Sequence, residues 1–381
     1  MTNTDGHQNT PGYLMGCYVC YHFFDPVGEV VPVSKTNRNP TLPRKSRLAL
    51  LSGVVFFVAI QIAAFWFLEF DPEYGDRLAR LGERIGEQPG RPVVIVLGSS
   101  RVAMGVRPEF VGPAMDGQQP VVFNYGLVGS GPVMQLCCVK RLLADGICPD
   151  CVLVEYWPAF WLQDGAMREQ ERIDPTRLRR ADLSLIRGYL RINQLRRNWY
   201  TGRVVPWFSG RFVVLSRHVP AWAPNGARLD STWANLSSFG WLPNTHPHTG
   251  EAGYRQRLKH FRAIYEPVLR DFKVSTASDR ALRELIAVCE EHRIGVAILR
   301  MPESTDFQSW YPPGVPAEVD DYLRRVTREQ GVPVIDARTW VPDDGFSDGF
   351  HLYPEAAAQL TERLGREAIL PLLRSRRAAY H

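Results

Sequence analysis

The stretch Val93-Val-Ile-Val-Leu-Gly-Ser-Ser-Arg-Val-Ala-Met-Gly105 decides how this chain is read. Five apolar residues, four of them β-branched, run straight into Gly98 and two serines. A continuous apolar run that ends at glycine reads as a strand buried on both faces of a parallel sheet. In open α/β sheets ligands bind just beyond the carboxyl ends of the strands. Ser99 and Ser100 stand at that address. Gly98 is expected to let the backbone turn sharply there and push a serine hydroxyl into a crevice. By itself, Gly-Ser-Ser after a strand is more often an ordinary turn than a site.

Outward from this stretch the pattern alternates. Strands are expected at Val93–Leu97, Val121–Asn124, Val152–Tyr156, Gly295–Leu299 and Val332–Ile335. Helices are expected between and after them, at Pro132–Ala144, Ser278–His292, Pro316–Gln330 and Pro354–Leu370. Strands alternating with helices of this length predict an α/β fold: a five-stranded parallel sheet in flavodoxin-like order with helices on both faces, three layers α/β/α. The loop Asp344-Gly-Phe-Ser-Asp-Gly-Phe-His-Leu-Tyr-Pro354 would then join Ser100 at one edge. Asp348 and His351 stand three apart in it. A carboxylate held against one imidazole nitrogen fixes the tautomer whose other nitrogen can take a serine's proton. Asp336, after Val332-Pro-Val-Ile, is a second candidate for that carboxylate, ranked below Asp348.

These residues resemble the SGNH (GDSL-like) hydrolase superfamily. Its first block is a strand followed by Gly-Asp-Ser, or Gly-Ser-Ser in membrane-anchored branches, and its third residue, the nucleophile, falls on Ser100. Its last block, Asp-x-x-His, matches Asp348 and His351. Its second block fits Val121-Val-Phe-Asn-Tyr-Gly-Leu-Val-Gly-Ser-Gly131, and the glycine whose amide helps form the oxyanion hole falls on Gly129. The third block, Gly-x-Asn-Asp, departs. After Cys151-Val-Leu-Val-Glu the chain reads Tyr156-Trp-Pro-Ala-Phe-Trp161, with no asparagine. The resemblance covers about Arg91–Ala159 and Ser278–Arg374. It implies a serine esterase or O-acyltransferase, without a cofactor, in which Ser99 supports the turn and Ser100 attacks. Arg300 and Glu303, after the fourth strand, either serve the site, Arg300 as a substitute donor, or pair with each other as scaffold.

The 381 residues suffice for a sizeable core, and a net charge of +5 says little about nucleic acid, for which no motif speaks. The seven cysteines form two Cys-x-x-Cys pairs, Cys17/Cys20 and Cys148/Cys151, but no ligand cluster accompanies either. Cys148 and Cys151 read as a loop thiol and a buried strand thiol, or as a local bridge in an oxidising compartment. His246-Pro-His248 has no third ligand at useful spacing, so no metal is assigned.

Residues 1–47 read as a disordered tail. Residues 48–70 read as one transmembrane helix, its apolar run Leu48–Leu68 reaching roughly 30 Å, a bilayer core. Lys35, Arg38, Arg44, Lys45 and Arg47 precede the run, while Glu69, Asp71, Glu73 and Asp76 follow. That asymmetry predicts a cytoplasmic tail and an extracytoplasmic domain. Residues 71–90, with Leu78, Leu81 and Ile85 on one side, read as a connector helix that lifts the domain off the bilayer. Residues 91–381 form the SGNH-like domain.

Between the third and fourth strands, residues 158–273 form an arginine-rich insertion, in which Asp182–Gln194 reads as a helix. Its arginines read either as a solvated cap paired with acids elsewhere, or as a surface for an anionic substrate or anionic lipid. Two functions follow. One is catalysis on acylated glycan or another envelope polymer; relatives of that kind work beside a multi-span acyl-transfer partner. The other is a non-catalytic protein that binds envelope polysaccharide or anionic lipid through its cap.

Overall fold

The structure, a computed structural model, describes residues 44–67, 71–112, 119–162, 168–207, 210–211, 214–215, 219–222, 235–270 and 272–380. The tail with Cys17 and Cys20, and His218, lie outside these. The chain divides into two compact units, one of residues 1–68 with 203–231, the other of residues 69–202 with 232–381.

The larger unit is built on a five-stranded parallel sheet: β1 (Val93–Gly98), β2 (Val121–Gly126), β3 (Cys151–Glu155), β4 (Gly295–Arg300) and β5 (Val334–Asp336). The spatial order is β2-β1-β3-β4-β5, the flavodoxin-like order expected. Every residue of β1, β2 and β3 is buried, as unbroken apolar runs of a parallel sheet require. The register pairs Gly98 with Gly126, so two glycines end neighbouring strands side by side.

Helix α2 (Pro72–Glu87) falls within the residues read as a connector. It is part of this unit's packing. Tyr74, Arg77 and Leu81 are buried, and the Arg77 guanidinium donates to the carbonyls of Asn124, Gly126 and Gly240 at 2.8–2.9 Å. A buried cation that meets three carbonyls ties this helix to the end of β2.

Helix α3 (Ser100–Gly105) follows β1 directly, and α4 (Pro132–Ala144) coincides with its expected span. The insertion's expected helix Asp182–Gln194 is two, α5 (Arg180–Arg187) and α6 (Asn193–Val204). Gly188 caps the first, its amide closing onto the Leu185 carbonyl, and the chain turns before the second starts. A longer helix, α7 (Gly250–Arg270), completes the described part of the insertion. Helices α8 (Thr276–Glu291), α9 (Val315–Gln330) and α10 (Pro354–Leu364) fall close to expectation. Ser275 caps α8, Gly331 ends α9 with φ 68°, and proline opens α10.

One apolar cluster runs from Val94 and Val96 of β1 through Leu153 and Leu299 to Phe346, Leu352 and Leu360. Phe346 and Leu352 flank the Asp348–His351 loop and pair as an isolated antiparallel bridge. Burying each such side chain contributes about 1.5–3 kcal/mol, so the loop is anchored on both sides by the core.

In the smaller unit, helix α1 (Arg44–Phe67) leaves its apolar side chains exposed, Leu48 through Val58 among them. It is long and apolar enough to cross a membrane.

Candidate active site

At the carboxyl end of β1 the structure corrects the reason for Gly98. Its backbone is not in the left-handed region, so rotational freedom is not what it supplies. It supplies space. A Cβ there would lie 2.4 Å from Val102 Cγ2 and 2.6 Å from Glu155 Oε2, because α3 folds back across the strand end. Gly126 beside it is as tight: a Cβ would lie 2.3 Å from the Ala103 nitrogen.

Ser99 caps α3. Its Oγ accepts the Arg101 amide at 3.2 Å, and its own amide donates to Glu155 Oε2 at 2.5 Å. The adjacent Ser100 opens the helix and points the other way. Asn124, on β2, holds α3 in place: its Nδ2 donates to the carbonyls of Val102 and Val106 at 2.7 and 2.5 Å. Its Oδ1 accepts the Gly126 amide at 2.9 Å. A buried amide with both ends satisfied fixes a position in a way that an apolar contact does not.

The three residues named from sequence meet. His351 Nε2 lies 2.8 Å from Ser100 Oγ, and His351 Nδ1 lies 2.8 Å from Asp348 Oδ2. Ser100 is 8% exposed, His351 6%, and Asp348 is fully buried. Burial works against the Asp348 charge. The imidazole beside it and the amides of Phe350 and His351, at 3.3 and 2.9 Å from Oδ1, outweigh burial and hold the carboxyl below its ordinary range. Nδ1 then carries the proton and Nε2 is left to accept one from Ser100.

Gly129 lies in the loop that leaves the sheet where the Leu127 amide donates to the Gly98 carbonyl at 2.8 Å. It adopts φ 79°, a conformation that favours glycine. Neither its amide nor that of Ser100 donates a hydrogen bond among the described residues. The insertion clamps this loop from outside. The Glu169 carboxylate accepts the amides of Gly131, Val133 and Met134 at 2.8–3.1 Å, capping α4, and Arg172 donates to the Gly129 carbonyl. Nothing in the sequence around Glu169 and Arg172 announces that role, since both read as surface charge.

The insertion also latches the histidine loop. Asn244 Nδ2 donates to Ser347 Oγ and the Leu352 carbonyl at 2.9 and 3.0 Å, and Arg257 Nε to the Ser347 carbonyl at 2.7 Å. Asn244 Oδ1 accepts the His246 amide at 3.0 Å. Burial depresses the His246 imidazole's proton affinity; Asp348 works against that, and His351 and Arg257 add to it. His248 stacks on Tyr353 with centroids 3.7 Å apart. The His-Pro-His motif therefore braces the site, and among the described residues no three His, Cys, Asp or Glu side chains gather as a metal site.

After β3, Trp157 is buried among aromatic rings. Its ring packs against Phe160, Tyr265, Phe307 and Phe350, and the Arg101 guanidinium lies 4.7 Å from its centroid. Phe350 in turn lies 4.3 Å from the His351 ring. Arg101 Nη2 donates to the carbonyls of Met301 and Pro302, both at 2.9 Å, and lies 3.4 Å from Glu303. Arg300 and Glu303 do not pair with each other. Arg300 pairs with Asp320 and Asp336 at 2.6 and 3.1 Å, and Glu303 accepts from Tyr311 at 3.0 Å. Asp336 is thus committed to Arg300 and Arg338, and Asp348 is the carboxylate on His351.

Several cap arginines are scaffold. Arg172 lies over Phe160, Arg177 bonds Glu73 and the Val128 carbonyl, and Arg179 reaches Asp145. Arg180, Arg187, Arg191, Arg196 and Arg197 are exposed. Cys148 is an exposed free thiol and Cys151 a buried one, not a bridge. No family model and no curated protein matches the chain.

Proposed function

We propose that the protein is a membrane-anchored serine esterase or O-acyltransferase of the SGNH type, with a three-layer α/β/α domain. The observation that carries this is the hydrogen-bonded relay Ser100 Oγ–His351 Nε2 and His351 Nδ1–Asp348 Oδ2, 2.8 Å at each step. A buried aspartate, an oriented imidazole and a helix-opening serine are the parts that nucleophilic acyl transfer needs.

In the forward step Ser100 Oγ attacks an acyl carbonyl while His351 Nε2 takes the hydroxyl proton. Asp348 stabilises the imidazolium that forms. The amides of Ser100 and Gly129 meet the negative charge on the carbonyl oxygen. Collapse breaks the ester C–O bond, the imidazolium returns its proton to the leaving alcohol, and the acyl group stays on Ser100. Water or a second hydroxyl, deprotonated by His351, then releases it. Water as acceptor makes the protein an esterase; a glycan hydroxyl makes it a transferase.

A single anchor favours acylated envelope polymers as substrate, with a multi-span protein as acyl donor partner. The charge asymmetry around α1 favours a cytoplasmic N-terminus and a domain outside. The absence of an asparagine after β3 favours a second reading, a non-catalytic protein that binds envelope polysaccharide or anionic lipid. One experiment separates the two: the full chain in detergent is treated with a fluorophosphonate probe beside Ser100→Ala. Covalent labelling lost in the variant supports catalysis; an unlabelled native chain sinks it.

A further inference from the structure

We propose that the segment around Val204 and Trp207 dips into the bilayer beside the anchor helix, at the boundary between headgroups and acyl chains. The inference rests on reading α1 as a membrane span. Residues 203–231 group with the N-terminal helix in one compact unit, although more than a hundred residues of sequence separate them. The contact that sets the depth is a hydrogen bond: the Trp207 backbone amide donates to Gln61 Oε1 at 3.3 Å.

Gln61 lies six residues before the helix ends at Phe67, which at the helical rise is about 9 Å below that end. Interfacial segments bury their apolar faces roughly 5–10 Å into this same layer. Gln61 is also the one side-chain amide in the apolar run. In a layer poor in water an unmet carbonyl oxygen or backbone N–H is costly, and here the Gln61 oxygen and the Trp207 N–H meet each other.

The surface around the contact suits lipid better than water. Val204 is 72% exposed, Trp207 46%, Trp222 75%, and Trp66, near the end of α1, 78%. Trp prefers the membrane interface, where its ring can sit among acyl chains and its indole N–H among headgroups. A second protein chain could cover the same rings, but it would give no reason for a backbone donor at the depth of Gln61.

The test uses the full chain in nanodiscs whose lipids carry brominated chains, which quench tryptophan on contact. Three single variants are compared with the native chain: Trp66→Phe, Trp207→Phe and Trp241→Phe, the last in the buried core of the larger unit. The quenched share of the emission should fall in the first two and stay unchanged in the third. Bromines near the headgroup end of the chain should quench Trp207 more than bromines near the chain terminus. Val204→Trp, which adds a reporter, should gain lipid-quenched emission. Quenching of Trp66 without any from Trp207 or from Val204→Trp would overturn the proposal and leave the anchor reading standing. No quenching of Trp66 either would overturn both.

Discussion

Replacing Asp348 with asparagine should do more than remove a charge; it should reverse the proton arrangement on His351. The two carboxylate oxygens of Asp348 have different duties. Oδ1 accepts the amides of Phe350 and His351, while Oδ2 faces His351 Nδ1 at 2.8 Å. In Asp348→Asn the carbonyl oxygen stays with the two backbone amides. The opposite rotamer would turn an NH2 group toward both, and each buried donor left unmet costs about 1–3 kcal/mol. The side-chain NH2 therefore takes the place of Oδ2 and donates to Nδ1. His351 must then carry its proton on Nε2, 2.8 Å from Ser100 Oγ, where it donates to the hydroxyl and cannot accept from it. A triad histidine in the wrong tautomer loses about 10⁴ in rate, or about 5.5 kcal/mol of barrier. The assay is the second-order rate of fluorophosphonate labelling, measured beside a denaturant melt. Labelling should slow by about four orders of magnitude while the melt shifts by no more than about 3 kcal/mol. Asp336→Asn should leave labelling near the native rate, because Asp336 is engaged by Arg300 and Arg338. A loss of less than about tenfold in Asp348→Asn, or an equal loss in Asp336→Asn, would refute the assignment.

Ser99→Ala removes only the hydroxyl that caps α3, so labelling should persist and stability should fall by about 1 kcal/mol in a urea titration. Gly98→Ala should cost about 1–3 kcal/mol and slow labelling, since the new methyl meets Val102 and the Glu155 carboxylate that holds Ser99; an unchanged midpoint would mean that α3 has room to move. On acidification, the stabilisation from Asp348 is fully present above about pH 4, the carboxyl's unfolded value, and is lost as pH falls through its lower folded value. Asp348→Asn should accordingly flatten the stability curve below about pH 4, and curves of identical slope would contradict the depressed carboxyl. A reporter that works only outside the cytoplasm, fused after His381, should be active; activity of a cytosol-only reporter there would reverse the orientation.

How much of this was legible in the chain varies from element to element. β1, β2 and β3 could be read from runs such as Val93–Leu97, because a strand buried on both faces leaves a mark at every position, whereas β5 is short and only half-buried and starts two residues later than expected. Alternation implies a parallel sheet, whereas the order β2-β1-β3-β4-β5, expected as flavodoxin-like, is what the structure shows. Ser100, Asp348 and His351 could be named because they stand in short blocks that resemble a known family's, and the structure brings the three together. The choice of Asp348 over Asp336 rested on the resemblance of Asp-x-x-His to the family's last block, and in the structure it is Asp348 that meets His351. The function of Gly98 was misjudged: a glycine that gives freedom and one that gives space look the same in sequence. At residues 71–90 the limit of the sequence is a related one. An amphipathic helix shows which of its faces is apolar but not what that face meets, and Arg77 reads as a surface charge until three carbonyls are found around it.

The sequence by itself thus determined the layout, an apolar helix and then a parallel α/β domain with a serine after its first strand and an aspartate and a histidine together in one loop. Those features are local: each is written in a run of neighbouring residues whose periodicity or spacing carries the signal. Only the tertiary structure decided which insertion residues serve the site. Glu169 closes α4, Arg172 holds the Gly129 loop, and Asn244 and Arg257 latch the histidine loop, all across separations of tens of residues or more. Each is a polar side chain of ordinary surface type. What makes it structural is a backbone donor or acceptor left unmet elsewhere in the chain, and sequence does not mark which distant group a side chain will meet.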